Sequence, residues 1–277
     1  MLDPMRISPQ KSNIARVQLG PSPIISPKLE AAGFRHAFFT SVGGVSSGPF
    51  ATLNLSNSVG DLPANVAQNL SRAADWLGID AANLFWASQT HGKEVIVLDS
   101  ALSVESVRST CADAIIASTG HWACCVRTAD CVPVLVADRV SGRVAAIHAG
   151  WRGIVAGILP QTIARLNQLG TRSDQLIAAI GPHIRERAFE VSEDVCRLIG
   201  DVTPHVCVVR RDLGARPHVS LAKSLGGQLR MVCLRNDQVD DVGGCTFEES
   251  DRFFSYRRLG PTSGRHLHAI LPREAEP

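Results

Sequence analysis

Val132-Pro133-Val134-Leu135-Val136-Ala137 is followed, after a polar turn, by Val144-Ala145-Ala146-Ile147 and then by His148-Ala149-Gly150-Trp151-Arg152-Gly153. The first two runs are short, apolar and rich in β-branched residues, which is the composition of strands in a buried sheet. Behind the glycine-bearing segment, Ile154 to Leu169 has helical periodicity and stops at Gly170. The same alternation extends outward in both directions. Arg35–Thr40, Leu84–Ser88, Glu94–Leu98, Ala114–Ala117 and Ala123–Arg127 read as strands upstream, and Leu176–Ile180, Val206–Val209 and Leu267–Leu271 downstream. Pro63–Leu77 reads as a helix: Asp61 can cap it, Pro63 suits its first turn, Val66, Leu70, Ala73 and Leu77 share a face, and Gly78 ends it. Ser192 caps a short helix through Ile199, and Leu221–Leu234 forms another. No linker, repeat or low-complexity stretch divides the chain. The expectation is one α/β domain (α+β in its mixed sheet, with flanking helices) over residues 21–277, after a loosely held tail at 1–20.

Composition narrows the partners. The chain has 277 residues, 45% of them hydrophobic, and a net charge of +2. That charge is too balanced for nucleic acid or an anionic membrane to be the main partner. No run of about 18 apolar residues is present, and the first residues lack the apolar stretch of a secretory signal. The eight cysteines show no CxxC spacing. Free thiols in the cytoplasm are the expected state.

Three segments carry chemically capable residues at the ends of expected strands: Gln89-Thr90-His91-Gly92, Thr128-Ala129-Asp130-Cys131, and His148 to Gly153. Strand ends feeding loops are where α/β proteins place their sites. His91, Cys131 and His148 make a His, Cys, His set with one position open, the pattern of a catalytic zinc site. Each residue alone is more often a satisfied polar or buried group. Gly92, Gly150 and Gly153, which allow close backbone approach, and the neighbouring Trp151 and Arg152 shift the balance toward a site. The turn into the helix expected at Ile154, with Arg152 beside it, also suits an anion such as phosphate. Asp130 is the nearest acid to a ligand but is expected to point to the opposite face, so no general acid is assigned. The remaining histidines, His36, His121, His183, His205, His218, His266 and His268, are read as structural or surface residues.

The chain resembles the YfiH-like family, also called laccase-domain, polyphenol-oxidase-like or peptidoglycan editing factor. The resemblance rests on Phe39-Thr40-Ser41-Val42-Gly43-Gly44-Val45-Ser46, Leu53-Asn54-Leu55, Gly60-Asp61 and Asn69, then on the three segments above, Ile180-Gly181-Pro182, and Phe253-Phe254-Ser255-Tyr256-Arg257-Arg258. It implies a single domain of layered mixed β-sheets flanked by helices, and zinc held by His91, Cys131 and His148. It implies phosphorolysis of purine nucleosides (adenosine, inosine, methylthioadenosine) and adenosine deamination. Asn54 and Gln89 are then expected to hydrogen-bond the nucleoside and Arg152 the phosphate, with Cys131 and His148 at the chemistry. Ser41 stands where the family usually has arginine, and His183-Ile184-Arg185 and His266-Leu267-His268 also depart from its pattern.

Two other readings come from different classes. A His₂Cys set also resembles a copper site, so a laccase-like polyphenol oxidase with copper is one alternative. A laccase needs further coppers held by several H-x-H pairs, and the pair seen here is His266-Leu267-His268. The second alternative is a metal-free hydrolase with Cys131 and His148 as nucleophile and base, acting on peptidoglycan precursors.

Overall fold

The computed structural model describes residues 20–99, 101–118, 120–203, 209–210 and 216–273. The expected tail, apart from residue 20, and most of the strand expected at Val206–Val209 lie outside them. The N-terminal part contains helix α1 (Pro27–Ala31), strand β1 (His36–Phe38), helix α2 (Pro63–Leu77), strands β2 (Leu84–Phe85) and β3 (Val95–Val97) and helix α3 (Val104–Ser109). The centre runs β4 (Ala114–Ala117), β5 (Ala123–Thr128), β6 (Val132–Asp138), β7 (Val144–Ala149), α4 (Trp151–Ala156), α5 (Ile158–Gln168) and β8 (Leu176–Ile180). Then come α6 (Glu193–Val202), β9 (Val209–Arg210), β10 (His218–Val219), α7 (Leu221–Met231), β11 (Val239–Asp241), α8 (Tyr256–Leu259) and β12 (His266–Ile270).

The strands form a six-stranded sheet in the order β11-β8-β6-β7-β4-β3, a four-stranded sheet β1-β12-β5-β2, and the small pair β10-β9. Both large sheets are mixed: β3/β4, β8/β11 and β2/β5 are parallel and the other pairs antiparallel. Alternation along the strands sets the layers. Val132, Val134 and Val136 of β6 pack with Ile154, Ile158, Leu159 and Leu225 from the helices on one side. Leu135 and Ala137 of the same strand pack with Phe38, Val126 and Ile270 of the second sheet on the other. The far face of the second sheet, through Ala37, Cys125 and Leu267, buries against Ala73, Ala74 and Leu77 of α2. The layers therefore run helices, six-stranded sheet, four-stranded sheet, helix.

Several expectations need correction. Ile154–Leu169 is not one helix: it begins earlier, at Trp151, and breaks at Gly157, whose φ of 82° ends α4 and caps α5. Asp61 does not cap α2; the N-cap is Leu62. One Asp61 oxygen instead accepts from the Ser46 hydroxyl (2.6 Å) and the Asn54 amide (2.9 Å). The helix expected to reach Leu234 stops at Met231. Among the described residues no helix is long and apolar enough to cross a membrane.

Candidate metal centre

Strand register positions most of the centre. β6 and β7 pair with Val132 opposite Ala149 and Pro133 opposite His148. β4 and β7 pair with Ala114 opposite Ile147. One step beyond each ladder, Asp113 comes level with His148, and Cys131 with Gly150. Val144 and Ala146 of β7 face the layer between the sheets, so His148, two further on, is aimed there too. His91 arrives on the loop between β2 and β3 with a φ of 61°, a left-handed conformation few non-glycine residues adopt.

The ligand atoms of His91, Cys131 and His148 all lie within 4.8 Å of one another. Cys131 Sγ is 3.7 Å from His91 Nε2. Tetrahedral zinc with bonds of about 2.3 Å to sulfur and 2.0–2.1 Å to nitrogen sets those atoms about 3.6 Å apart. The donor set and its spacing therefore fit a metal ion of that kind. His148 is buried, Cys131 partly exposed and His91 exposed, so the group opens on one side.

Asp113 holds this arrangement together. One of its oxygens accepts from His148 Nδ1 (2.7 Å) and the His91 backbone N–H (2.9 Å). The other accepts from the N–H groups of Thr90 (3.1 Å) and Gly92 (2.7 Å) and the Thr90 hydroxyl (3.2 Å). It thus fixes the loop carrying one histidine and the ring of the other, leaving His148 Nε2 free for a ligand role. Burial would raise the Asp113 carboxyl, but the bond and charge of His148 and the backbone donors bring it down to about 2. Burial would likewise raise the Cys131 thiol; the adjacent His148 and His91 outweigh it and bring it to about 6. Burial disfavours charge on His148, while Cys131 and Asp113 favour it and lift the ring to about 9. The sulfur is therefore held as a thiolate near neutrality, the form that binds metals.

Gly150 is required by contact. A Cβ there would lie 2.8 Å from His91 Cδ2 and 2.9 Å from Cys131 Sγ. Its φ of −73° suits any residue, so space alone excludes a side chain.

The three residues border a cavity of about 650 Å³. Trp151, Phe189 and Tyr256 give it flat apolar walls, and Arg127, Arg152, Arg257 and Arg265 make it cationic. Asp130 is the carboxylate on its wall, not turned to the opposite face, because its φ of 88° departs from the extended backbone that the expectation assumed; its carboxylate is nevertheless occupied. Its oxygens accept from the Thr246 hydroxyl (2.7 Å), the Ser255 hydroxyl (3.0 Å) and the Arg257 N–H (2.6 Å), tying β6 to the C-terminal segment.

The other expected site residues fare differently. Gln89 borders the cavity, yet its amide is engaged by the Arg127 backbone, donating to its carbonyl and accepting from its N–H, both at 2.7 Å. Arg152 borders the cavity with its guanidinium carbon 4.4 Å from the Trp151 ring centroid. The helix expected to start at Ile154 starts at Trp151, and the Ile154 N–H donates to Gly150 O (2.9 Å), so the first-turn N–H groups are those of Trp151, Arg152 and Gly153. Asn54 does not reach the cavity at all. It is fully buried, donates to Ser56 O and Asp61, and accepts from the Arg265 and Ser56 N–H groups. It shapes the wall by holding Ser56 and Arg265.

Asp113 escaped the sequence reading, although an acid directly before the buried run Ala114–Ala117 is a visible signal. Arg127 escaped it because it sits inside an apolar strand. His266 and His268 are buried: His266 Nε2 accepts from the Phe254 N–H and His268 Nε2 pairs with the Thr128 hydroxyl. Among the described residues, His91, Cys131 and His148 are the group of three or more that could hold a metal.

Residues 35–273 match the family model described as multi-copper polyphenol oxidoreductase laccase. A purine nucleoside phosphorylase of Streptomyces coelicolor is 36% identical over 84% of this chain and 93% of its own length. The purine nucleoside phosphorylase YfiH of Escherichia coli is 36% identical over 82% and 88%. Among solved structures, YlmD of Geobacillus stearothermophilus superposes with a TM-score of 0.86 at 26% identity, covering 92% of this chain and 97% of that one. Sequence match, relatives and superposition agree, and the chain belongs to the YfiH-like, laccase-domain family.

Proposed function

We propose that this protein is a zinc-dependent purine nucleoside phosphorylase of the cytoplasm, acting on adenosine, inosine and methylthioadenosine, with adenosine deamination as a second activity. The observation that carries the reading is the cavity itself, where a three-ligand metal set, aromatic walls and arginines meet. The names of the relatives support it. His91, Cys131 and His148 would hold zinc, which when bound supplies Lewis acidity to the site. Asp113 keeps the His148 ring and the His91 loop in place for that role. Trp151, Phe189 and Tyr256 offer π-faces for the purine. Arg152 takes phosphate, and Gln89 retains one N–H and one lone pair for a nucleoside hydroxyl. For phosphorolysis, phosphate attacks the ribose C1′ and the purine leaves through its ring nitrogen, which takes up a proton; for deamination, water adds at C6 of adenine and the amino group leaves as ammonia.

The test is product analysis on zinc-loaded protein. Adenosine with phosphate should give adenine and ribose 1-phosphate, and adenosine without phosphate should give inosine. If neither purine release nor inosine appears, the reading fails. The thiolate character of Cys131 beside His148 also favours the metal-free hydrolase acting on peptidoglycan precursors. A chelator separates the two, since only the zinc enzyme loses activity and regains it with added zinc. Copper-dependent phenol oxidation lacks such support, because the H-x-H pair is buried and engaged elsewhere.

A further inference from the structure

The cavity has a cationic corner that the proposed chemistry leaves without an occupant. Arg127 lies on β5, its backbone clamped by Gln89 on both sides of the peptide unit. Its guanidinium lies 5.2 Å from the Trp86 ring centroid, and Nη1 donates to the Ser56 hydroxyl at 3.3 Å. Arg108 stacks on the same indole at 3.7 Å, and its Nε is buried with no hydrogen-bond partner among the described residues. Arg265 stands nearby, 5.6 Å from the Tyr256 ring, with Nη1 donating to the carbonyls of Ser263 and Gly264. Glu105 acts on Arg108 only. The Arg265 charge is opposed by burial and favoured first by the Cys131 sulfur, which zinc would claim, then by Tyr256 and by Asp130, whose oxygens are already taken by Thr246, Ser255 and the Arg257 N–H. Burial, then repulsion from Arg108 and Arg265, brings Arg127 down to about 10.

Partly desolvated like charges without a carboxylate between them are costly unless something anionic completes the set. The hydroxyls fit the same purpose. Ser56 Oγ and Ser58 Oγ are 2.9 Å apart, both border the cavity, and Ser58 is exposed to it. Guanidinium forks beside hydroxyls are the usual receptors for tetrahedral oxyanions.

We propose that Arg127 and Arg265, with the Ser56 and Ser58 hydroxyls, form an anion subsite that receives a phosphate-class dianion, either free phosphate or the phosphoryl group of a nucleoside monophosphate. The subsite shares the cavity of the proposed reaction and rests on that reading for its nucleoside. Its arginines come from β5 and from the segment before β12, whereas Arg152 belongs to α4.

The test is calorimetric titration of the zinc-loaded protein, each ligand separately, with inorganic phosphate, adenosine 5′-monophosphate and inosine, a nucleoside with no amino group to lose. Arg127→Met should weaken binding of the anion by roughly ten- to a hundredfold and change inosine affinity less than about twofold. Arg127→Lys should restore part of the loss, and zinc content should stay at the wild-type level. A response confined to phosphate identifies the free anion as occupant; one confined to the monophosphate identifies the substrate's own phosphoryl group. Ser58→Ala, a change at an exposed turn that leaves folding intact, should weaken the same ligand severalfold and serves if Arg127→Met does not fold. The proposal is overturned if the wild-type protein binds neither anion at millimolar concentration. It is equally overturned if the arginine and serine variants bind both anions as the wild type does. Retained phosphate binding without phosphorolysis would refute the reaction and leave the subsite standing.

Discussion

Asp113→Asn keeps the shape of the side chain and removes the charge that organises the metal centre. The carboxylate is fully buried and both its oxygens face donors: His148 Nδ1 and the His91 N–H at one, the Thr90 and Gly92 N–H groups and the Thr90 hydroxyl at the other. An asparagine must set its NH₂ against one of these groups of donors, so several hydrogen bonds become repulsive whichever way it turns. Hydrogen bonds to a charged group contribute about 1.5–3 kcal/mol each, and stripping a buried pair of one partner costs roughly 3–5 kcal/mol. We expect urea unfolding of the metal-stripped variant to show a loss on that scale. Stripping the metal matters, because zinc binding would add its own linkage to the midpoint. The His148 ring also loses the acceptor that selects its tautomer. Zinc affinity, measured by competition with a colorimetric chelator, should fall about ten- to a hundredfold. A variant with wild-type stability and zinc affinity within about twofold would refute the argument that Asp113 orients both histidines.

The three metal-ligand candidates were legible because each sits in a short segment where a chemically capable residue meets glycine at a strand end. What brings them together was not. Asp113 enters through the register of β4 on β7, and a register cannot be read from the composition of either strand. The layered order was legible in outline, since apolar runs of strand length alternate with amphipathic helices. Gly157 looked like an ordinary residue inside a helical pattern, and only its positive φ breaks the segment into α4 and α5. Asn54 was misjudged for a physical reason: a polar residue between Leu53 and Leu55 can serve the fold as readily as a ligand, and here its whole amide is spent on backbone and Asp61. Arg127 shows the reverse. Nothing in the expected strand Ala123–Arg127 singles it out, yet it borders the cavity.

Gly150→Ala should abolish zinc binding while leaving the chain folded, because the new Cβ meets Cys131 Sγ and His91 Cδ2 below 3 Å without straining the backbone; near-wild-type zinc content by metal analysis would contradict this. Cys131→Ala should eliminate turnover with little loss in urea stability, and adenosine activity close to wild type would rule out both the zinc and the thiol mechanisms. Stability should decline in acid through His183 and His266, which burial lowers to about 4 and about 3. Their folded values lie below the ordinary 6.5, so this stability is complete above pH 6.5 and is lost as the pH falls toward 4 and 3, at about 1.4 kcal/mol per pH unit for each. Urea midpoints that stay flat from pH 7 to 4.5 would exclude it. Arg152→Ala tests the phosphate role at the α4 side of the cavity. Among the described residues the guanidinium stacks on Trp151 and takes part in no hydrogen bond or ion pair, so its loss leaves no polar group of the protein stranded and the fold should not change. A charge-assisted contact contributes about 1.5–3 kcal/mol, which predicts a roughly ten- to a hundredfold greater phosphate requirement, with only partial recovery in Arg152→Lys. Deamination consumes no phosphate and should fall much less; if both reactions fall equally, Arg152 acts on the nucleoside, and the phosphate must be held by the other arginines of the cavity.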